Sequence, residues 1–342
     1  MNTGTVLIAR LDNAGDVLLA GPAVRAVAAH VEKVVMLTGP HGRAAAQLLP
    51  GVGQIIEWCA PWIDPYPAPV TAEHVAVLHD AVRAQAPGAA VLLTSFHQSP
   101  LPLALLLRLA GVGWIGAISE DYPGSLLDLR HHVDGDPPEA QRALGLAHAA
   151  GYPLPPGDDG RLAVRRPLPD VEQLTGRPGY VVVHPGASVP AREWPAPHFR
   201  RAVRALVDAG HRVVVTGSSR EQPLTGLVAG DDGIDLGGRT DLRTLAAVLD
   251  GACVVVAGNT GPAHLAAAVG TPVVSLFAPV VPAQRWAPYG VPTVLLGDQN
   301  APCRDTRARH CPVPGHPCLS GVDPAEVVEA VGCLAGAQAA AP

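Results

Sequence analysis

The chain reads as an α/β protein built from two doubly wound, Rossmann-like domains in tandem, and three observations predict this. Short β-branched runs alternate with helical patterns from end to end, as in βαβ units around a buried parallel sheet. A strand that turns through a short polar, glycine-containing segment into a helix occurs in each half, at residues 10–17 and 259–264. Residues 151–179, rich in Pro, Gly and Asp, separate the two series, so domains are placed at 1–150 and 180–342 with 151–179 as the linker. A length of 342 residues suits two domains of about 150 residues each.

In the first half, apolar runs predict strands at 6–9, 34–37, 54–58, 90–93 and 114–118. Helical patterns follow at 17–30, 41–49, 71–85 and 138–150. In the second half, strands are expected at 180–184, 212–216, 234–236, 253–257, 272–277 and 293–296. The intervening helices fall at 195–209, 220–228, 242–249 and 260–269, with a closing helix at 324–334. In such sheets ligands bind beyond the carboxyl ends of the strands, where both special turns lie.

Composition narrows the function. A hydrophobic content of 48% excludes disorder, and no apolar run approaches the roughly 20 residues of a membrane helix. The N-terminus meets Arg10, Asp12 and Asp16 within a strand-turn-helix pattern and lacks the regions of a secretory signal, which makes a cytoplasmic enzyme the expectation. The net charge of −6 with scattered arginines argues against nucleic acid as a partner. Lys33 is the only lysine, so an arginine standing where a lysine would serve reflects composition before chemistry.

The turn Asn259-Thr260-Gly261-Pro262-Ala263-His264 carries the clearest chemistry. A helix N-terminus offers free N–H groups and the positive end of the helix dipole, the usual cradle for a diphosphate. Gly261 permits close backbone approach, Pro262 suits a first-turn position that needs no N–H, and His264 can donate to a phosphate. Taken alone, the same residues read rather as an ordinary Gly-Pro helix start above a core histidine.

The segments Leu11-Asp12-Asn13-Ala14-Gly15-Asp16-Val17 with Gly21-Pro22-Ala23, His184-Pro185-Gly186-Ala187-Ser188 with Arg192-Glu193-Trp194-Pro195, and Gly217-Ser218-Ser219-Arg220-Glu221 occur in that order. Asp235-Leu236-Gly237-Gly238-Arg239-Thr240-Asp241-Leu242 and Gly258-Asn259-Thr260-Gly261-Pro262-Ala263-His264-Leu265-Ala266-Ala267-Ala268 complete the series. Together they resemble the ADP-heptose:lipopolysaccharide heptosyltransferases, glycosyltransferase family nine, over nearly the whole chain. The resemblance implies a GT-B fold, two Rossmann-like domains facing each other across a cleft. It also implies inverting transfer of heptose from ADP-heptose to a hydroxyl of a glycan or small-molecule acceptor, with no cofactor required.

Asp16 matches the aspartate of the family's Gly-Asp motif, taken as the catalytic base. Its position at a helix start favours the ionised form and makes it a weaker base. A simple helix cap is the other role of such an aspartate, and Asp12 is the rival base. Arg192 matches the family's phosphate-binding lysine, and its guanidinium can grip phosphate bidentately where an ammonium acts as a point charge. Ser188 is expected beside it. Thr216, Gly217, Glu221 and Gly237 are expected around the nucleotide base and ribose, and Asn259, Thr260, Gly261, Pro262 and His264 around the diphosphate and sugar. Asn259 stands where the family usually has aspartate, which bears on the donor sugar. The N-terminal domain is expected to hold the acceptor, with Asp12, Gly15 and Ser99 on that side and the loops 58–66 and 95–100 as contact surfaces.

Cys303, Cys311, His316 and Cys318 crowd one loop and form a candidate zinc set, although no CxxC pair is present. A disulfide and free thiols are the alternatives there, while Cys59, Cys253 and Cys333 read as small buried hydrophobes. Two other functions compete: a nucleotide-sugar epimerase with a similar pair of domains, and a catalytically silent nucleotide-sugar-binding protein. Peripheral membrane contact is compatible with the sequence.

Overall fold

A computed structural model describes residues 4–339. The chain divides into two compact units after Arg165, inside the Pro- and Gly-rich stretch. Residues Tyr152, Leu162 and Val164 are buried in the first unit. Arg165 donates its N–H to Leu48 O (2.7 Å) and its Nε–H to Leu49 O (2.9 Å). Residues 151–165 therefore pack against the first sheet's helices, because their apolar side chains and backbone groups find partners there.

The first unit carries β1 (Thr5–Arg10), β2 (Lys33–Thr38), β3 (Val52–Glu57), β4 (Ala89–Leu92), β5 (Trp114–Ile118) and β6 (Leu129–His131) in one sheet ordered β3-β2-β1-β4-β5-β6. The second carries β7 (Tyr180–His184), β8 (Val213–Val215), β9 (Ile234–Asp235), β10 (Ala252–Gly258), β11 (Val273–Leu276) and β12 (Thr293–Leu296), ordered β12-β11-β10-β7-β8-β9. Counted within its own unit, each sheet runs 3-2-1-4-5-6, and the strand pairs are parallel. In that topology the connections leave the first strand in one direction and the fourth in the other, opening a crevice beyond their carboxyl ends. β1 lies in register with both neighbours, Leu7 opposite Val35 and Ala90. β7 does the same, Val183 opposite Val215 and Val256.

Both faces of each sheet are covered, which is why the central strands are apolar without alternation. Val6, Leu7 and Ile8 are fully buried, as are Val181, Val182 and Val255. Leu78, Val82, Leu103 and Leu107 pack on the first sheet. Phe199, Val203, Leu206, Val327 and Val331 pack on the second.

Among the elements that differ from expectation, three have a clear physical reason. The helix expected over 17–30 is two, Ala14–Leu19 and Gly21–Ala28, because Pro22 has no N–H for Leu18 O and its ring crowds that carbonyl. The apolar run Leu101–Leu109 forms a helix with Pro102 in its first turn. The edge strand β6 has only three half-buried residues, too few for an apolar run to announce it. No helix among the described residues is long and apolar enough to cross a membrane.

Candidate active site

In the first unit, the crevice between β1 and β4 gathers charges that lie far apart in sequence. Arg10 ends β1 and is 3% exposed, with each guanidinium nitrogen facing a carboxylate. Nε lies 2.9 Å from Asp12, Nη2 3.1 Å from Asp16 and Nη1 3.6 Å from Glu139. Nη2 also donates to Ser95 Oγ (2.8 Å) in the loop after β4. From the same loop Gln98 donates to Asp12 Oδ1 and is itself held by the Ser95 N–H (3.1 Å). Asp12 is thus engaged on both oxygens, by Arg10 and by Gln98.

Asp16 sits in the first turn of Ala14–Leu19 and accepts the Asn13 N–H at 3.3 Å. The cap reading of this residue is accordingly correct as far as it goes. The electrostatic expectation is reversed, however. Burial first, then the charge of Asp12, push the Asp16 carboxyl up to about 6 against the pull of Arg10. The partial charge of a six-residue helix does not offset desolvation plus a neighbouring carboxylate. Arg10, surrounded by three acids, is held still more firmly protonated than usual despite its burial.

Gly15 is buried in the same turn. Ser99 does not join this cluster; its Oγ–H points to Asp121 Oδ2 at 3.3 Å. In the loop 58–66, Trp58 is buried, stacks on His74 (centroids 4.7 Å apart) and touches Trp62, so its rings serve self-packing, while Tyr66 is exposed.

In the second unit the equivalent crevice lies at the ends of β7 and β10. Arg192, in a short turn after β7, donates from Nη1 to Asn259 O (3.3 Å) at the end of β10. Asn259 is 5% exposed; its Nδ2 donates weakly to Ala278 O (3.4 Å) and its buried Oδ1 has no hydrogen-bond partner. Thr260 holds the N-cap position of the helix Gly261–Val269 without a capping side-chain hydrogen bond, and Pro262 lies in the first turn. His264 on that turn is 7% exposed. Burial, reinforced by the positive charge of Arg192, lowers its pKa to about 4, so the ring is neutral at pH 7 and carries a single N–H.

The turns expected around the nucleotide are tightly built. Glu221 Oε2 accepts the Ser218 N–H (2.7 Å), and a Cβ on Gly186 would stand 1.9 Å from Glu221 Oε1. A Cβ on Gly237 would meet Thr225 Oγ1 at 2.0 Å, and one on Gly217 would meet Thr225 Cγ2 at 2.6 Å. Thr216 is fully buried with its hydroxyl 3.0 Å from His184 Nδ1, which places it beneath the turn. Ser188 is exposed on the loop after β7.

Known proteins share the family and the fold. The family model described as glycosyltransferase family 9 (heptosyltransferase) matches residues 91–316, more than half of the chain. The chain belongs to glycosyltransferase family 9. Among curated relatives, lipopolysaccharide heptosyltransferase 1 of Pseudomonas aeruginosa is 36% identical over 170 residues, 48% of this chain and 46% of that protein. The chain spans about half the length of the curated relatives it matches. A family 9 glycosyl transferase from Veillonella parvula superposes with a TM-score of 0.78 at 14% identity, covering 98% of both chains. The E. coli ADP-heptose lipopolysaccharide heptosyltransferase II does so at 0.74 and 18% identity, covering 98% of this chain and 100% of that one. The fold is therefore the GT-B type of this family.

Within this family 9 member the candidate zinc set does not assemble. Cys303 and Cys318 are buried with their Sγ atoms 3.9 Å apart, and the burial of Cys318 with its thiol neighbours pushes that thiol up to about 12. Cys311 donates instead to Val313 O (3.4 Å), and His316 Nε2 lies 3.1 Å from Ala191 O. Among the described residues no three of His, Cys, Asp or Glu come close enough to hold a metal. Cys59 and Cys253 are only half-buried and Cys333 is exposed, so the reading of these three as core residues is corrected.

Sequence reasoning missed Arg10, Glu139 and His184 as site residues, and named Ser95 and Gln98 only as part of the acceptor-side loop 95–100. Arg10 had a signal, a lone charge ending a buried apolar strand. Glu139 had none, since only folding carries it to β1.

A stability consequence follows at His264. Its folded pKa of about 4 lies below the ordinary value of 6.5, so the unfolded chain binds more protons between these values and stability falls as pH falls from 6.5 toward 4. His264→Leu is expected to flatten that part of the stability curve, read from urea midpoints at pH 4.5 and 7.

Proposed function

We propose that the protein is an inverting heptosyltransferase that moves heptose from ADP-heptose to a hydroxyl of a lipopolysaccharide-type glycan, with Asp16 as general base. The observation that carries this reading is the division of labour on Arg10. Asp12 is engaged by Arg10 and Gln98, while Asp16, held by Arg10 and by the Asn13 N–H, is the more exposed of the two and its carboxyl is pushed up to about 6. A carboxylate with that pKa is ionised at pH 7 yet is a stronger base than an ordinary aspartate, the balance that general-base catalysis favours.

Asp16 takes the proton of the acceptor hydroxyl as its oxygen attacks the anomeric carbon, and the bond to the diphosphate breaks on the opposite face. The negative charge that develops on the departing ADP is received by Arg192 and by the N-terminal turn of Gly261–Val269. Neutral His264 can donate one hydrogen bond without adding a buried charge. Asn259 in place of a carboxylate removes a negative charge beside the diphosphate and presents one buried acceptor oxygen to the sugar. The E. coli protein of the same fold is an ADP-heptose heptosyltransferase, which supports this donor.

Calorimetry with ADP, GDP and UDP tests the donor class without an acceptor: ADP should bind tightest, and equal or weaker binding than UDP would overturn the assignment. Arg192→Ala should weaken ADP binding by about 10- to 100-fold, the scale of a lost charge-assisted contact. Arg192→Lys should recover part of it, as a point charge replaces a planar fork.

A further inference from the structure

Glu139 opens the helix Glu139–Ala149 and is 2% exposed, with both carboxylate oxygens buried and without hydrogen-bond partners. An acidic side chain so placed is costly unless it is paired. Its two nearest cations are Arg10 Nη1 at 3.6 Å and Arg142 Nη1 at 3.7 Å, contacts too long for hydrogen bonds. Arg142 Nη1 also donates to Thr94 O, so this cation is shared as well. Glu139 lies on the Arg10 nitrogen that neither aspartate uses.

We propose that Glu139 is a positioning residue that competes with Asp16 for the Arg10 guanidinium, so that Asp16 shares one cation with two other carboxylates and is only partly neutralised by it. The inference rests on the reading of Asp16 as base for its functional meaning, but not for its geometry. The groups facing the cluster are Arg10 from β1, Asp12 from the following loop, Asp16 from the first helix, and Glu139 and Arg142 from the later helix. Ser95 and Gln98 face it as neutral donors and acceptors from the loop after β4. His131, beside Arg142, is held toward its neutral form by burial and by the charges of His132 and Arg142. Three acids against two arginines leave the cluster with one negative charge in excess. The upward shift of Asp16 includes a contribution from Glu139. A positive cluster, or Asp16 with Arg10 to itself, would hold its proton far less firmly.

Aspartate-labelled protein, with the Asp16 carboxyl carbon identified by its loss in Asp16→Asn, gives a titration that needs neither donor nor acceptor. Wild-type protein should show an inflection near 6. In Glu139→Gln it should fall by about half a unit or more, because one negative neighbour is gone and Arg10 is freed toward Asp16. Melting curves and ADP binding establish that the variant is folded, and Glu139→Met serves if the glutamine variant is not. An unmoved Asp16 inflection in a folded variant overturns the inference, since a purely structural role would change melting alone. Failure of the base reading is separate: it shows as unchanged turnover in Asp16→Asn, whatever the Glu139 titration does.

Discussion

Asp16→Asn is expected to cut heptose transfer by about a hundredfold or more, roughly 2.7 kcal/mol of transition-state stabilisation, while ADP binding stays within about twofold. Asparagine keeps the shape and the contact with Arg10 but cannot take a proton. The wild-type pH profile should rise through about 6 and level above it, because the carboxyl must be ionised to act. The same substitution should stabilise the protein. The folded pKa lies above the ordinary 3.8, so the favourable protonated state is present below that value and is lost as pH rises through 6. Ionised Asp16 therefore costs stability at pH 8, on the order of 1–3 kcal/mol, and Asp16→Asn should raise the urea midpoint at pH 8 but not at pH 4. A variant that keeps its turnover would transfer the base to Asp12.

Arg10→Met should be the most destabilising single change in the first unit. It leaves the buried Glu139 and the half-buried Asp12 and Asp16 together, with Arg142 as the remaining cation beside Glu139. Breaking a buried ion pair from one side costs about 3–5 kcal/mol. Without their cation the carboxyls take up protons more readily, so the loss should be largest at pH 8 and should shrink toward pH 5. Denaturant midpoints at the two pH values measure this, and an equal loss at both would point to packing rather than charge. Arg10→Lys, which offers one charged nitrogen where three face carboxylates, should recover only part of the stability.

Much of the architecture was legible from the chain. The strands 114–118 and 180–184 were expected with the bounds they have, because a strand buried on both faces must be apolar throughout, and the half-buried edge strand 293–296 showed its bounds through its own short apolar run. The breaks came where a single residue acts against its neighbours, as Pro22 does within a helical pattern, and where an element is too short to show a pattern, as in β6. Ser99 shows the limit at the site: it and Gln98 are adjacent, yet Gln98 reaches Asp12 and Ser99 turns to Asp121. Nothing local distinguishes the two.

By itself the sequence determined the two sheets, the turns beyond β1 and β10, and the family, since apolar period, turn chemistry and motif order are properties of neighbouring residues. Only the tertiary structure decided which aspartate is the more exposed and how firmly it holds its proton. That depends on burial, on the neutral Ser95 and Gln98 brought to the cluster by the loop after β4, and on the charge of Glu139 from the helix Glu139–Ala149. Coulomb energy follows distance through space and the local dielectric rather than separation along the chain, and those are set only when the sheet closes its crevice between β1 and β4.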